Sequence, residues 1–296
     1  MNEMVPTSPH AGPSARPRPR HPLAGLGGGA LAAIGALIWL AIVLIPLAYA
    51  VIQTLKPQQD ELTTSPWTVP HPTLDNYTGV VTPQFLHYVL NSVVTSVGGV
   101  LLSTLLGSLA AYALARVPGR INGALYLLFV SGLAVPIYAA IIPIYRFSSD
   151  VGLYDTLLGL LLPFAATSLP ITVFILTAFM RAIPAELDQA MSIDGAGYLR
   201  RYAQLALPLA RPAVATVAIY AFINNWNNFI LPLVLTQSDV NRTLPLAIWT
   251  YQGQYGMNVP LVLTVVVLST VPLLIFYILQ RRNFIQGLTA GALNAQ

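Results

Sequence analysis

The sequence predicts an all-α membrane protein: six transmembrane helices, N and C termini cytoplasmic, and a polar cytoplasmic loop between spans four and five. Three observations lead there. First, 55% of the 296 residues are hydrophobic and only 8% are charged, with a mean hydropathy of +0.67. Soluble domains carry about 25% charged residues, so this chain lacks the polar groups to cover a water-facing surface. Second, six stretches are long and apolar enough to cross a bilayer. Third, the basic residues fall almost entirely on one side of those stretches.

Taken in order, residues 1–22 are rich in Pro, Arg and Ser (PSARPRPRHP). They can bury no apolar area and are expected to form a disordered cytoplasmic segment. A basic lead before an apolar run resembles a signal peptide. However, residues 23–55 are uncharged for 33 positions, and a signal h-region runs about 7–15. The run therefore reads as a retained first span. A spanning helix needs about 20 apolar residues, which places spans at 31–52, 86–115, 121–145, 156–180, 212–236 and 259–279. Lipid admits only helices or closed barrels, and these runs are too long and uniformly apolar for barrel strands of about 10 alternating residues. The membrane domain is read as 23–281, with a cytoplasmic tail at 282–296.

Orientation follows from the Lys/Arg bias. With the N-terminus inside, the inner segments hold Arg16, Arg18, Arg20, Arg116, Arg120, Arg181, Arg200, Arg201, Arg211, Arg281 and Arg282. The outer segments hold only Lys56, Arg146 and Arg242. The net charge of +4 is thus spread over loops and is no nucleic-acid footprint. There is no cysteine, which excludes disulfides, thiolate catalysis and Cys-based metal sites.

All ten carboxylates fall outside the six apolar runs. Ion-driven transporters place such groups in the membrane as relays or ligands, so internal ion coupling is disfavoured. An intramembrane enzyme is disfavoured too, because no buried titratable pair is available for acid–base work. No catalytic constellation and no metal site is expected. Pro46, Pro136, Pro143, Pro163, Pro170, Pro232 and Pro272 lie in or near the spans. Two readings stand: membrane helices tolerate proline, or the kinks bend helices around a pathway.

Against this background the loop at 181–211 is unusual, holding seven charged residues: Arg181, Glu186, Asp188, Asp194, Arg200, Arg201 and Arg211. Pro184 followed by Glu186 and Asp188 fits a helix start. Gly195 and Gly197 break that helix, since glycine permits positive φ. A second short helix follows, with Tyr198, Tyr202 and Leu205 on one face, ending near Leu207-Pro208. The loop is either an interfacial amphipathic segment with no partner or a docking element. Its small face (Ala190, Ser192, Gly195, Ala196) suits close packing on a cytoplasmic protein.

In the fifth span, Asn224, Asn225, Asn227 and Asn228 flank Trp226. Amides in a membrane helix are costly unless partnered. They serve either as helix–helix glue or as the lining of a polar cavity, with Trp226 stacking on a ring. Helical spacing groups Asn224, Asn227 and Asn228 and leaves Asn225 off that face. Tyr138 and Asn91 are further candidates for a solute path. The outer loop 56–83, with Trp67, Asn76 and Tyr77, is either a connector or a partner contact. Arg242 pairs with a partner or with Asp239.

The loop resembles the EAA loop of ABC importer permeases: Gln189-Ala190-Met191, then Gly195, then Leu205-Ala206-Leu207-Pro208. Ile193-Asp194-Gly195-Ala196 and the run Leu207 to Pro212 are similar to the carbohydrate-uptake, maltose-type (MalG-like) subfamily. So are Asn91-Ser92, the run Ala111 to Arg116, Pro136 with Ile142-Pro143-Ile144-Tyr145, and the run Gly152 to Thr156. Asn225-Trp226-Asn227-Asn228-Phe229 with Leu231-Pro232-Leu233, and the tail motif at 282–292, resemble the same family. The resemblance covers nearly the whole chain after about residue 30. It departs at Gln189, where the family has Glu, at Met191, where it has Ala, and at Asn228, where it has Asp.

The resemblance implies a multi-pass cell-membrane permease paired with a second homologous permease, two cytoplasmic ATPase subunits and an extracytoplasmic solute-binding protein. It assigns Gln189, Ala190, Met191, Ser192, Asp194, Gly195 and Ala196 to the ATPase-coupling loop. With Gln189 in place of Glu, that grip rests on fit and neutral hydrogen bonds. The sequence holds no G-x-x-x-x-G-K-[ST] phosphate loop. ATP and Mg are therefore expected on the partner ATPase, this chain is no enzyme, and it carries no cofactor. The implied solute is a sugar or oligosaccharide, the alternatives being a glycerol phosphate ester or a stand-alone secondary transporter.

Overall fold

The computed structural model describes the backbone of residues 26–61, 63–248, 252–253 and 256–293, and side chains at 29, 31–61, 63–248 and 257–278. The segment 1–22, read as disordered, lies outside the described residues. So do the side chains of the tail motif at 282–292. The chain divides into two units, one up to Ala48 and one from Tyr49. The first is the greater part of α1 (Leu26–Thr54), whose described side chains up to Ala48 are all exposed. Such a surface is apolar enough for lipid.

The second unit begins with the end of α1 and a folded loop at 55–82. Lys56, the sole lysine, is fully buried. Its ammonium donates to the Ser65 carbonyl (2.7 Å) and the Thr64 hydroxyl (3.4 Å). The buried Asn76 amide donates to the carbonyls of Thr54 (2.8 Å) and Lys56 (2.7 Å). Trp67 meets Tyr49 edge-on at 5.8 Å. These contacts fold the segment on itself, with short helices α2 (Gln58–Glu61) and α3 (Asp75–Val80).

The core is built on α4 (Pro83–Arg116), started by the Thr82 cap, which accepts from the Phe85 N–H, with Pro83 in the first turn. Then come α5 (Arg120–Ser131), continued by a 3-10 turn to Ala134, α6 (Ile137–Asp150) and α7 (Leu157–Ala182). Ser92, Ser96, Gly99, Ser103, Gly107 and Ala111 form a buried stripe of small residues along α4. Small residues let membrane helices approach closely. A Cβ at Gly98 would meet Leu161, at Gly99 Phe164, and at Gly107 Thr172. Both sets of numbers rise together, so α4 and α7 run parallel.

Parallel helices joined in sequence require the chain between them to cross back. Between them lies the α5–α6 pair, two helices bent by 105° at their junction. The continuous third helix expected over 121–145 is thus corrected to a broken one. Pro136 lacks an N–H and disfavours the α region for the preceding residue, and Val135 is extended there.

After α7 come α8 (Ala185–Ile193), α9 (Tyr198–Arg201), a π-helical turn at Tyr202–Ala206, and α10 (Leu207–Leu209). The stretch Tyr198–Leu209 meets α11 (Arg211–Trp226) at 78°. The fifth span expected over 212–236 is not one helix either. It breaks at Asn227–Phe229 and resumes as α12 (Ile230–Leu235). In a continuous helix the Pro232 ring would clash with the Asn228 carbonyl. Instead the Asn228 side chain, one residue before the N-cap Phe229, accepts from the Leu231 N–H (3.0 Å) in the first turn of the new helix.

Ala213 shares a core cluster with Ala111, while the Asn225 amide donates to the Ser96 carbonyl (3.4 Å), so α11 runs against α4. Next is α13 (Leu244–Ala247), tied to α4 by Leu244 N–H donating to the Ser92 hydroxyl (2.7 Å). A two-residue ladder, β1 (Gln252–Gly253) with β2 (Gly256–Met257), interrupts the otherwise helical chain. The last helix, α14 (Val259–Leu293), passes the expected boundary at 281 without a break. Four described helices are individually long and apolar enough to span a bilayer, and six spans result if each bent pair counts as one.

Candidate functional site

The loop helix α8 follows Pro184, which caps it rather than opening its first turn, and carries Glu186 and Asp188 near the positive end of the helix dipole. Gly195 adopts φ +78°, a conformation costly to any residue with a Cβ. Gly197 is extended at φ −70° and needs no such freedom. Of the assigned loop residues, Gln189, Ala190, Ser192, Asp194 and Gly195 are exposed, Met191 is half-buried and Ala196 is buried. Around them Ile193 (86% exposed), Leu199 and Tyr198 present apolar surface outward.

What holds α8 in place was not legible in the sequence. Asp188 is buried, although its neighbours are exposed. One carboxylate oxygen accepts from the Arg201 guanidinium at 2.6 Å, the other from the Tyr112 hydroxyl at 2.8 Å. Arg116 Nε lies 3.8 Å from the same carboxylate, and its Nη2 donates to the Ile183 carbonyl (3.1 Å). The Tyr112 ring packs on Tyr202, whose hydroxyl shares a hydrogen bond with Ser108 (2.7 Å). Arg201 also stacks on Tyr198 at 4.4 Å. Ser108, Tyr112 and Arg116 are four residues apart on α4 and so lie on one helix face. Asp188 and Arg201 are 13 residues apart, too far for helical spacing to pair them. The readable signal was carboxylates and arginines gathered in one loop of a chain that is only 8% charged.

A cavity of about 730 Å³ lies between the 3-10 turn, α6, α7 and α11. Its volume falls in the usual range of small-molecule sites, about 300–1,000 Å³. Asn224, Asn225 and Asn228 line it, joined by Tyr220, Thr167 and Ser168. No Asp, Glu, Lys, Arg or His is among its lining residues. The helix break explains why the grouping differs from the spacing argument. Asn227 leaves the wall, exposed with its amide on the Ile223 carbonyl (2.9 Å), and Asn225 joins it.

The other path candidates sit elsewhere. Trp226 is buried, stacked on Phe222, with its indole N–H on the Ser269 carbonyl (3.2 Å). It is off the cavity wall and has no free ring face to offer. Asn91 is buried and donates to the carbonyls of Val240 and Arg242, both at 2.8 Å. Tyr138 is 71% exposed and is not among the lining residues. Arg242 pairs with Asp239 at 2.7 Å.

A second anchor lies beyond the cavity rim. Asp155, at φ +55°, accepts through one carboxylate oxygen from the N–H of Gln237 (2.9 Å) and from the N–H (3.1 Å) and hydroxyl (2.9 Å) of Ser238. Asn241 donates to its carbonyl. Burial alone would push the carboxyl up, but these bonds outweigh it and hold it below its ordinary value of 3.8. The segment after α12 is thereby fastened to the start of α7.

This arrangement, a bundle with broken helices around an uncharged cavity and an anchored loop helix at one end, is that of a transport protein. The chain belongs to the family of binding-protein-dependent transport system inner membrane components, whose model matches residues 103–284. It is a multi-pass membrane protein of that family. A putative ABC transporter permease of Caldicellulosiruptor sp. (strain Rt8B.4) is 40% identical over 256 residues, 86% of this chain and 93% of that one. The trehalose/maltose transport system permease of Thermococcus litoralis is 32% identical over 270 residues, covering 89% and 96%. The fold is also that of a chain in the crystal structure of a bacterial ABC transporter involved in alginate import. There the TM-score is 0.77 at 21% identity, covering 90% of this chain and all of the other.

Proposed function

We propose that this chain is the permease subunit of an ATP-driven, binding-protein-dependent importer for a neutral sugar or oligosaccharide. It forms the translocation path with a second, homologous permease and carries both termini and the loop 181–211 on the cytoplasmic side. Gln189 to Ala196 dock on one of two ATPase subunits, which bind ATP and Mg. An extracytoplasmic binding protein delivers the solute. The observation that carries the reading is a patch of amides and hydroxyls at a helix break in an otherwise apolar cavity wall, with no charged side chain among the lining residues. Hydroxyl-rich neutral solutes are matched by such donors and acceptors. A phosphate ester would call for a cation, which this wall does not supply.

The test is uptake into proteoliposomes holding this chain, its second permease and the ATPase. Labelled maltotriose is compared with a labelled uronic-acid trisaccharide, each with its binding protein. The neutral sugar should enter only with ATP. Gly195→Val, strained at φ +78°, should abolish uptake while leaving membrane insertion intact. Uptake by the single chain without ATP, or selection of the acidic sugar, would refute the reading.

A further inference from the structure

The geometry points to Asp188 as the positioning residue that locks the loop helix α8 to the end of α4, so that a push on the loop moves α4 as one body with it. The inference rests on the permease reading above. It concerns a contact inside this chain, separate from the docking face.

Four observations carry it. Asp188 alone among the carboxylates of α8 points inward: it is buried, whereas Glu186 is exposed. Its two oxygens are divided between elements, one taken by Arg201 beyond the glycine turn, the other by Tyr112 on α4. Arg116, four residues on from Tyr112, adds its charge at 3.8 Å and binds the carbonyl of Ile183 just before α8. The Tyr202–Ser108 bond repeats the same connection one turn back along α4. The loop is therefore tied to α4 at three successive turns, and Asp188 is the one group shared by both sides of its glycine turn.

Two details make this a clasp rather than ordinary packing. The turn at Tyr202–Ala206 is π-helical, a distortion that often marks functional positions. The Nε atoms of Arg116 and Arg201 are both buried without a hydrogen-bond partner. One carboxylate thus balances two guanidiniums, and removing it leaves both buried without their counter-charge. A hydrophobic contact would slide under load, whereas a shared carboxylate with fixed donors transmits displacement. Because α4 packs along α7, one wall of the cavity, this junction carries loop motion toward the path alongside the chain's own connections into α7 and α11.

The chain has no cysteine, so Glu186→Cys on α8 and Val117→Cys after α4 take spin labels uniquely in this subunit. In the complex with the second permease and cysteine-free ATPase, pulsed dipolar spectroscopy reads their separation without nucleotide and with ATP trapped by vanadate. With Asp188 intact the distance should be single and equal in both states. Asp188→Asn should broaden it at least about twofold and make it nucleotide-dependent, since two packings become accessible, while Asp188→Glu should restore the single distance. A merely structural defect would lower the yield of assembled complex without changing the distance in what assembles.

If Asp188→Asn does not assemble, Tyr112→Phe, which removes one hydrogen bond and keeps the ring, should show the same broadening. An unchanged narrow distance in the assembled variant overturns the clasp and leaves the permease reading standing. A wild-type chain that binds no ATPase overturns both.

Discussion

The close approach of α4 to α7 makes a ranked prediction about three glycines. A Cβ at Gly99 would lie 2.9 Å from both the Phe164 Cβ and the Asn225 amide nitrogen. Ordinary carbon contacts are about 3.5–4.0 Å, so the helices must part by a good fraction of an ångström. The Phe164 Cβ is fixed to its own backbone and cannot rotate away. At Gly107 the intruding atom meets Thr172 Cγ2 at 2.6 Å, on a β-branched side chain stiff at χ1. At Gly98 it meets Leu161 Cδ1 at 2.4 Å, which is shorter but is the end of a side chain that can change rotamer. Overpacking a tight interior costs about 1–3 kcal/mol. Each Gly→Ala change also gains about 1 kcal/mol of helix propensity, and that gain cancels when the variants are compared. Gly99→Ala and Gly107→Ala should therefore be about 1–3 kcal/mol less stable than Gly98→Ala. Equilibrium unfolding of the purified chain by SDS in mixed micelles measures this. Equal midpoints for the three variants, or Gly98→Ala as the least stable, would refute the packing argument. Because the Gly99 Cβ also presses on Asn225, that variant should lose uptake, whereas Gly107→Ala should lose stability alone.

Three further outcomes are expected. The folded pKa of Asp155 lies below its ordinary 3.8, so its contribution to stability is in place above that value and is lost as pH falls through the folded pKa. Wild type should therefore lose stability as pH falls below the ordinary carboxylate value of 3.8, and Asp155→Asn, which tolerates the positive φ, should flatten that dependence in SDS unfolding. Trp226→Phe should lower stability by about 1 kcal/mol through the lost bond to Ser269 and leave the KM for sugar unchanged. Asn224→Ala should do the reverse, since Asn224 is on the wall and bonds only its own helix.

Several features were legible because they depend on local composition. Apolar runs of sufficient length place a helix wherever backbone groups cannot reach water, and this located α4 and α7 closely and the start of α14. Pro184, the two early acids and Gly195 wrote the short helix and its turn directly, since capping and positive φ are properties of single residues. The broken third and fifth spans were hidden in runs that look uniform. Pro136 and Pro232 were visible there, but proline in a membrane helix is compatible with a kink or a full break, and the backbone around it decides which.

By itself, the sequence determined that this chain is a helical membrane protein with a polar loop ending its fourth span, because transfer free energy depends on residue type and run length alone. Only the tertiary structure decided which polar groups face one another. Asp188 meets Arg201, Arg116 and Tyr112 across separations that no helical period connects, and the break after Trp226 turns Asn225 into the wall and Trp226 into the core. Those assignments depend on where helices cross and how closely small residues let them approach, which is a property of pairs of segments rather than of either one.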